Sequence, residues 1–190
     1  MTSGASLESR KRELRQAMHA LPGPSPSASE AACSRLAGLP QLDGARCVAL
    51  FASLPDELST QPLFELLRIR DLRCLLPRTT DARQLEFCQV PRWEDLQSGR
   101  YGVSEPPADS VVVSLEEADI VVVPGVAFDA SGGRLGRGGG YYDRALARIE
   151  RPFVVGFALE GQVVEEVPRG ELDQLVDAVV TERRVLSRER

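Results

Sequence analysis

The chain has 190 residues, enough for one sizeable hydrophobic core, and we expect a single domain over residues 1–190. Its net charge of −5 argues against a general nucleic-acid binder, so no nucleic-acid partner is expected. The N-terminus lacks the basic-then-apolar pattern of a signal peptide and no apolar run approaches the ~20 residues that span a bilayer, which predicts a cytoplasmic protein without a membrane partner.

Helical and strand patterns alternate along the chain. In the first half, the patterns predict helices over 6–20, over 27–39 (opened by a capping box from Ser27 to Glu30) and from Thr60 to Leu67. Strands are predicted over 46–54, over 72–76 with Pro77 ending the strand, and over 84–90. In the second half, a loop over 91–110 holds a helical turn near Trp93, strands are predicted over 111–113, 119–123, 153–159 and 177–180, and a helix over 141–149.

Several of these strands are continuously apolar rather than alternating. That pattern is typical of a mainly parallel sheet covered on both faces, so we predict a three-layer α/β/α domain with a mainly parallel central sheet. Ligands of such sheets bind beyond the carboxyl ends of the strands. The loops after Leu54, Pro77, Val123 and Leu159 are therefore expected at one functional edge.

Histidine and cysteine chemistry is largely excluded. A Ser-His-Asp or Cys-His hydrolase would have to use His19, which lies near the end of the first predicted helix, where a solvated side chain is the more common role. The four cysteines form no Cys-x-x-Cys pair and fall in predicted helix and strand segments. They are expected to be buried thiols, and no structural zinc is expected.

The segment RLGRGGGYYDR, residues 134–144, follows an apolar strand and precedes a helix. Its glycines let backbone amides converge on an anion, and its arginines suit phosphate oxygens. It matches neither the P-loop nor the G-x-G-x-x-G pattern. A flexible connection is the alternative interpretation, but interleaved arginines and glycines favour an anion site.

Four further residues each have an interpretation that needs no ligand. Asp143 could hold a divalent cation beside phosphates, or it could only stabilise the helix dipole. Lys11 and Arg15 lie four residues apart on one helix face, which by itself is typical of a solvated surface. Glu57 could bind a polar substrate or simply precede the helix that Thr60 opens.

Taken together, these stretches resemble the 5-formyltetrahydrofolate cyclo-ligase family, also called 5,10-methenyltetrahydrofolate synthetases. The segment VPGVAFDASGGRLGRGGGYYDR, 123–144, is similar to the family signature P-G-x-A-F-D-x-x-G-x-R-L-G-x-G-x-G-Y-Y-D. KRELR, FASLPDELST, YGVSEP and VPRGELDQLVDAVVTE, starting at positions 11, 51, 101 and 167, are similar to other family motifs in family order. The resemblance covers nearly the whole chain.

The resemblance implies an ADP-forming ligase that converts 5-formyltetrahydrofolate to 5,10-methenyltetrahydrofolate with ATP and Mg²⁺. The formyl oxygen would be phosphorylated, and the position-10 nitrogen of the folate would then displace phosphate. Such chemistry needs positioned cations and amides rather than a histidine base. The expected partners are therefore a reduced folate and ATP, and a monomer is expected.

The resemblance also implies a role for each matching residue. The catalytic residues would be Lys11, Arg137 and Tyr141. ATP would contact Lys11, Arg15, Arg134, Leu135, Gly136, Arg137, Gly138, Gly139, Gly140, Tyr141 and Tyr142. The folate would contact Ala52, Glu57, Arg137, Gly138, Gly139, Gly140 and Tyr141, with Glu57 as the anchor of its pterin. Asp143 and Asp173 would ligate Mg²⁺.

Some features leave other interpretations open. Leu172 stands where many relatives carry histidine, and Leu85 where relatives often carry methionine. Trp93 is equally a folate-stacking or a core residue. The fold class also hosts sugar-phosphate isomerases and CoA transferases, and a redirected, non-catalytic family member is a further alternative. An RNA-contacting Arg-Gly-Gly segment is disfavoured by the acidic net charge.

Overall fold

The structure, a computed structural model, describes residues 6–150 and 152–188. Its helices are α1 (Leu7–Met18), α2 (Pro26–Ala37), α3 (Gln61–Ile69) and α4 (Tyr141–Leu146). Its strands are β1 (Cys47–Ala49), β2 (Arg73–Thr79), β3 (Leu85–Gln89), β4 (Gln97–Ser98), β5 (Ser104–Glu105), β6 (Val112–Val113), β7 (Ile120–Val123), β8 (Ala127–Phe128), β9 (Arg134–Leu135), β10 (Phe153–Phe157), β11 (Ala178–Val180) and β12 (Val185–Ser187).

One sheet joins eight of these strands in the order β12-β11-β10-β7-β1-β2-β3-β6. The five inner strands from β11 to β2 are mutually parallel, whereas β12, β3 and β6 add to the edges antiparallel. The predicted mainly parallel α/β sheet is confirmed. None of the helices within the described ranges has the length and apolarity that a bilayer crossing requires.

Alternate residues of the inner strands face opposite layers, as pleating requires. Val48 and Val122 face one core layer, against which α2 and α3 pack. Ala49 and Val121 face the other, which includes Leu146 of α4. Both faces of the sheet are therefore covered, which explains why these strands are apolar throughout. All four cysteines are buried, as predicted.

The paired strands β8 and β9 form a small hairpin beside the main sheet. Helix α1 packs on this hairpin through Leu14 and Met18, which contact the buried cluster of Ala127, Leu135 and Val167. The sequence interpretation did not include this hairpin, and it also missed β4, β5 and β12. Each of these strands has only two or three residues, too few for a visible period.

Several predicted boundaries were wrong. The second helix is capped by Ser25, whose Oγ accepts a hydrogen bond from Ala28 N at 3.2 Å, so Ser27 is not the cap. The strand predicted over 46–54 keeps ladder pairing only over Cys47–Ala49. Pro77 does not end β2 but pairs with Phe87. The register of β2 with β1 stops at Leu75, so Pro77 lies where a missing N–H costs little.

Trp93 lies in the predicted turn, a 3-10 helix over Trp93–Asp95. Its ring meets Phe64 edge-on with centroids 5.5 Å apart, and Phe64 is fully buried. Trp93 also packs against the core layer that α2 and α3 cover. These contacts favour the core interpretation of this tryptophan over the folate-stacking one.

Candidate active site

The segments that follow β1 and β7 meet at one edge of the sheet. The contact is direct, since Arg137 of the glycine-rich loop (136–140) donates hydrogen bonds to Glu57 of the segment after β1. The glycine-rich loop connects β9 to α4, and α1 lies alongside it. This juxtaposition is the one that the parallel topology predicted for the carboxyl ends of neighbouring strands.

The backbone of the loop depends on glycine at two positions. Gly138 and Gly140 have φ values of 102° and 65°, in the left-handed region that side chains disfavour. Gly140 is also the N-cap residue of α4. That helix ends at Leu146 rather than near residue 149 as predicted, so it has only six residues and a correspondingly small dipole. The positive charge of the site therefore comes mainly from its side chains.

Lys11 of α1 is almost completely buried and pairs with Asp173. Its Nζ lies 2.6 Å from Asp173 Oδ2, and the same oxygen accepts a hydrogen bond from Gly170 N at 2.6 Å. Burial raises the pKa of Asp173, but the hydrogen bonds from Lys11 and Gly170 N and the charges of Lys11 and Arg134 together outweigh burial, so the pKa is lowered. Lys11 thus carries its charge into the site, and the interpretation of this position as a solvated surface is wrong.

Arg15 lies one helical turn after Lys11 and contacts the loop. Its Nε donates to Gly136 O at 2.9 Å. Its guanidinium also lies against Gly138, where an added Cβ would be 3.7 Å from Arg15 Cζ. Lys11 and Arg15 of α1 therefore both contact the site, Arg15 at the loop and Lys11 at the segment around Asp173.

Arg134 is buried in β9, just before the loop, and is held by Asp143. Its Nη2 donates to Asp143 Oδ1 at 2.7 Å and its Nη1 to Pro124 O at 3.2 Å. Its Cζ lies 5.8 Å from the centre of the Tyr142 ring, within range of a cation–π interaction. Asp143 is in the first turn of α4, as predicted, but its carboxylate serves Arg134 as well as the helix end.

Arg137 is half-exposed and bound by two acidic residues. Its Nη2 donates to both carboxylate oxygens of Asp56, at 2.8 and 2.9 Å. Its Nε and Nη2 also donate to Glu57 Oε1, at 3.2 and 3.1 Å. These bonds join positions about 80 residues apart in the chain and tie the glycine-rich loop to the segment after β1.

Glu57 is the more enclosed of the two acids. Its Oε2 accepts a hydrogen bond from Leu54 N at 3.0 Å, which fixes the carboxylate against its own turn. Burial raises the pKa of Glu57 despite this bond and despite Arg137. Asp56 is more exposed; burial raises its pKa, but the hydrogen bonds and the charge of Arg137, together with smaller contributions, outweigh burial and lower the pKa.

Two buried polar atoms at the site have no hydrogen-bond partner among the described residues, Arg134 Nε and the Tyr142 hydroxyl. Burial raises the pKa of Tyr142, and the charges that act on it are those of Glu57 and Arg134. A buried polar group without a partner is costly, so such atoms mark places where a ligand or water is expected.

Tyr141 and Arg144 contact the glycine-rich loop where it leads into α4. The Tyr141 ring lies beside Gly139, where an added Cβ would come within 2.8 Å of it, and Arg144 Cζ lies 5.3 Å from the ring centre. Arg144 also donates to Gly139 O at 3.0 Å and to Arg83 O at 2.7 Å. These contacts join the loop to the turn between β2 and β3.

Two of the predicted binding residues are buried in the core. Leu135 is 2% exposed within the cluster under α1, and Ala52 is 5% exposed in the main core. Ligand contacts at these positions would have to come from the backbone. Leu172, next to Asp173, is 85% exposed, and the Asp173 carboxylate is held by the bond from Gly170 N.

Sequence reasoning missed two acidic residues, Asp56 and Asp129. Asp129 is fully buried and accepts hydrogen bonds from Ser131 N and Oγ, Gly133 N and Val167 N at 2.6–2.9 Å. It closes the turn of the β8–β9 hairpin and so sets the start of the glycine-rich loop. The signal for it was the sequence DASGG, in which an aspartate precedes small residues that expose their amides.

The comparisons with known proteins point to one family. Residues 5–182 match the model of the 5-formyltetrahydrofolate cyclo-ligase family. The chain is 36% identical to the 5-formyltetrahydrofolate cyclo-ligase of Escherichia coli K12, over 90% of this chain and 98% of that protein. It is 30% identical to a probable 5-formyltetrahydrofolate cyclo-ligase of Schizosaccharomyces pombe, over 84% and 86% of the two chains.

A solved structure supports the same relationship. The NMR structure of the Aquifex aeolicus 5,10-methenyltetrahydrofolate synthetase superposes with a TM-score of 0.80 at 32% identity, covering 95% of this chain and 92% of that one. A Mycoplasma pneumoniae 5,10-methenyltetrahydrofolate synthetase shares the fold with a TM-score of 0.71, over 94% of this chain and 100% of that one. The chain belongs to the 5-formyltetrahydrofolate cyclo-ligase family and is an enzyme of the ligase class.

Proposed function

We propose that the protein converts 5-formyltetrahydrofolate to 5,10-methenyltetrahydrofolate and cleaves ATP to ADP and phosphate. Its substrates are a reduced folate and ATP, and we expect the reaction in the cytoplasm. Family membership supports this choice over an isomerase, a CoA transferase or an RNA-contacting protein. The lone histidine is no obstacle, because the chemistry requires positioned cations rather than an imidazole base.

The main observation in support of the proposal is the contact between Arg137 and Glu57. Arg137 belongs to the loop that we assign to ATP, and Glu57 is the proposed anchor of the pterin. Their hydrogen bonds of 3.1 and 3.2 Å bring the two proposed substrate regions to a common border. Direct transfer of a phosphoryl group from ATP to a folate requires such a border, because the attacking and leaving oxygens must lie in line on the same phosphorus.

In the proposed reaction, the formyl oxygen attacks the γ-phosphorus, a new O–P bond forms and the bond to the bridging oxygen of ADP breaks. The position-10 nitrogen of the folate then attacks the formyl carbon, loses its proton and displaces inorganic phosphate. Negative charge shifts towards the ADP oxygen in the first step and onto phosphate in the second. Lys11, Arg137 and the amides of the glycine-rich loop would stabilise this charge.

The remaining assignments follow the same geometry. Arg15 and Arg134 would contact ATP phosphates, because Arg15 donates to Gly136 O and Arg134 lies just before Gly136 in the chain. The free Tyr142 hydroxyl and Arg134 Nε supply donors that lack a partner among the described residues. Tyr141 is held against Gly139 and Arg144, where its ring could orient a substrate.

The carboxylates present fit Mg²⁺ as one part of its coordination shell. Asp143 and Asp173 would hold it, since Gln174 N donates to Asp143 Oδ1 at 3.3 Å and so keeps the two segments adjacent. No group of three or more His, Cys, Asp or Glu side chains forms a metal cage within the described ranges, so phosphate oxygens would complete the shell. Bound there, Mg²⁺ would neutralise phosphate charge.

The direct test is an assay with purified protein, 5-formyltetrahydrofolate, ATP and Mg²⁺, following the absorbance of methenyltetrahydrofolate. We expect product only when all three are supplied, with one ADP formed per turnover. An Arg137→Met variant is a useful companion, because it should lose turnover while remaining folded. Absence of product with every divalent cation tried would refute the proposed function.

A further inference from the structure

Asp56 is the acidic neighbour of Glu57 and also binds Arg137. Its two carboxylate oxygens accept hydrogen bonds from Arg137 Nη2 at 2.8 and 2.9 Å. Both partners are partly exposed, with 53% of the Asp56 side chain and 41% of the Arg137 side chain accessible. The pair therefore lies at the mouth of the site rather than in the core.

The hydrogen bonds that Arg137 makes within the described part of the chain all come from one edge of its guanidinium. Nε and Nη2 donate to Glu57, and Nη2 also donates to Asp56. Among the described residues, Nη1 has no hydrogen-bond partner. Because the guanidinium is planar and rigid, fixing the edge formed by Nε and Nη2 also fixes the direction in which Nη1 points.

The two acids hold Arg137 unequally. Glu57 is itself tied down by Leu54 N and only 11% of its side chain is exposed, so it is a fixed point. Glu57 accepts both hydrogen bonds from Arg137 with one oxygen, and the guanidinium could still rotate about that oxygen. Asp56 adds the second point of attachment, and two separate points restrict that rotation.

We propose that Asp56 is a positioning residue that orients Arg137 so that Nη1 is offered to a phosphate of ATP. The inference depends on the ATP site of the proposed function, but not on the identity of the second substrate. It makes Asp56 necessary for tight ATP binding although Asp56 is itself negatively charged and lies beside a polyanion.

The direction of the change in ATP affinity distinguishes a positioning role of Asp56 from two simpler roles. If Asp56 only added negative charge, its removal would strengthen the binding of ATP by lowering repulsion. If Asp56 competed with phosphate for Arg137, its removal would also strengthen binding. Only a positioning role predicts that the neutral, nearly isosteric variant Asp56→Asn binds ATP more weakly.

The test measures ATP dissociation constants by calorimetry on the full-length protein with Mg²⁺ and without folate. Asp56→Asn should weaken binding about three- to tenfold, the range for a partly exposed ion pair that acts on a charged ligand. Asp56→Glu should recover part of the loss. Glu65→Gln is the matched control, because it removes one carboxylate from the exposed pair with Arg68 and should leave ATP binding unchanged.

A double-mutant cycle shows whether Asp56 acts through Arg137. In an Arg137→Gln background, Asp56→Asn should no longer weaken ATP binding, since no guanidinium is left to orient. Thermal unfolding of each variant, expected to be close to that of the wild type, verifies folding.

Equal or tighter ATP binding by Asp56→Asn, or the same loss in the Arg137→Gln background, would overturn the inference, as would a wild-type protein that binds no ATP. Failure of the proposed function looks different. In that case, ATP would bind and its dissociation constant would change with the variants as expected, but no methenyltetrahydrofolate would form.

Discussion

Replacing Asp143 with alanine tests whether its carboxylate supports the fold as well as the site. Arg134 is its partner, with only 3% of the side chain exposed, and the two are 2.7 Å apart. Without Asp143, the guanidinium would keep the 3.2 Å bond to Pro124 O, and its Nε already lacks a partner among the described residues. The variant therefore leaves a buried cation largely uncompensated.

The size of the effect follows from the burial of the two partners. Breaking a fully buried pair costs about 3–5 kcal/mol, but 24% of the Asp143 side chain is exposed, so water replaces part of the loss. We expect a decrease of about 1.5–3 kcal/mol in the free energy of unfolding. For a chain of this size, that corresponds to a midpoint lower by about 4–10 °C.

Thermal and urea unfolding, followed by circular dichroism near neutral pH, measure the effect. Asp95→Ala is the control, because it breaks the 2.6 Å pair with Arg92, whose side chain is 69% exposed, and should cost less than about 1 kcal/mol. Equal stability of Asp143→Ala and wild type, or equal losses in both variants, would refute the reasoning. Turnover should be compared well below both midpoints, where we expect Asp143→Ala to be inactive even though it is folded.

The other predictions concern ATP affinity, pH and backbone strain. Lys11→Met should raise the KM for ATP about tenfold or more with a much smaller change for folate in steady-state kinetics, and equal changes would contradict its role. The pKa of Glu57 is raised in the folded state, so its protonation favours the folded state below its ordinary pKa of 4.5, and this contribution is lost as pH rises through the folded pKa. In urea unfolding, the stability of wild type relative to Glu57→Gln should therefore fall with rising pH. A difference that stays constant with pH would disprove this reasoning. Gly140→Ala should lower the free energy of unfolding by about 1–2 kcal/mol and also weaken ATP binding, because φ is 65° and the new Cβ would press on Arg144. Gly44→Ala is the control: its φ is 84° and the space around it is open, so it should lower stability without changing ATP binding.

The sequence was most informative where several residues repeat one local signal. The apolar runs within the strands predicted over 119–123 and 153–159 indicated inner strands of a covered parallel sheet, and the structure confirms both. Segment ends were less predictable. Ser25 and Ser27 are both good capping residues, and Ser25 is the cap because Pro26 takes the first helical position, a signal that the prediction did not use. The two-residue strands of the β8–β9 hairpin exist only because their partners are brought alongside.

The sequence by itself determined the family, the fold class and the residue types of the site. A glycine that can take a left-handed conformation, and an arginine beside it, are recognisable from single residues and their spacing. The pairing of charges was decided by the tertiary structure. Lys11 meets Asp173 across 162 positions and Arg137 meets Asp56 across 81. No local pattern encodes such contacts, because they arise only when α1 packs on the hairpin and parallel strands end at one edge.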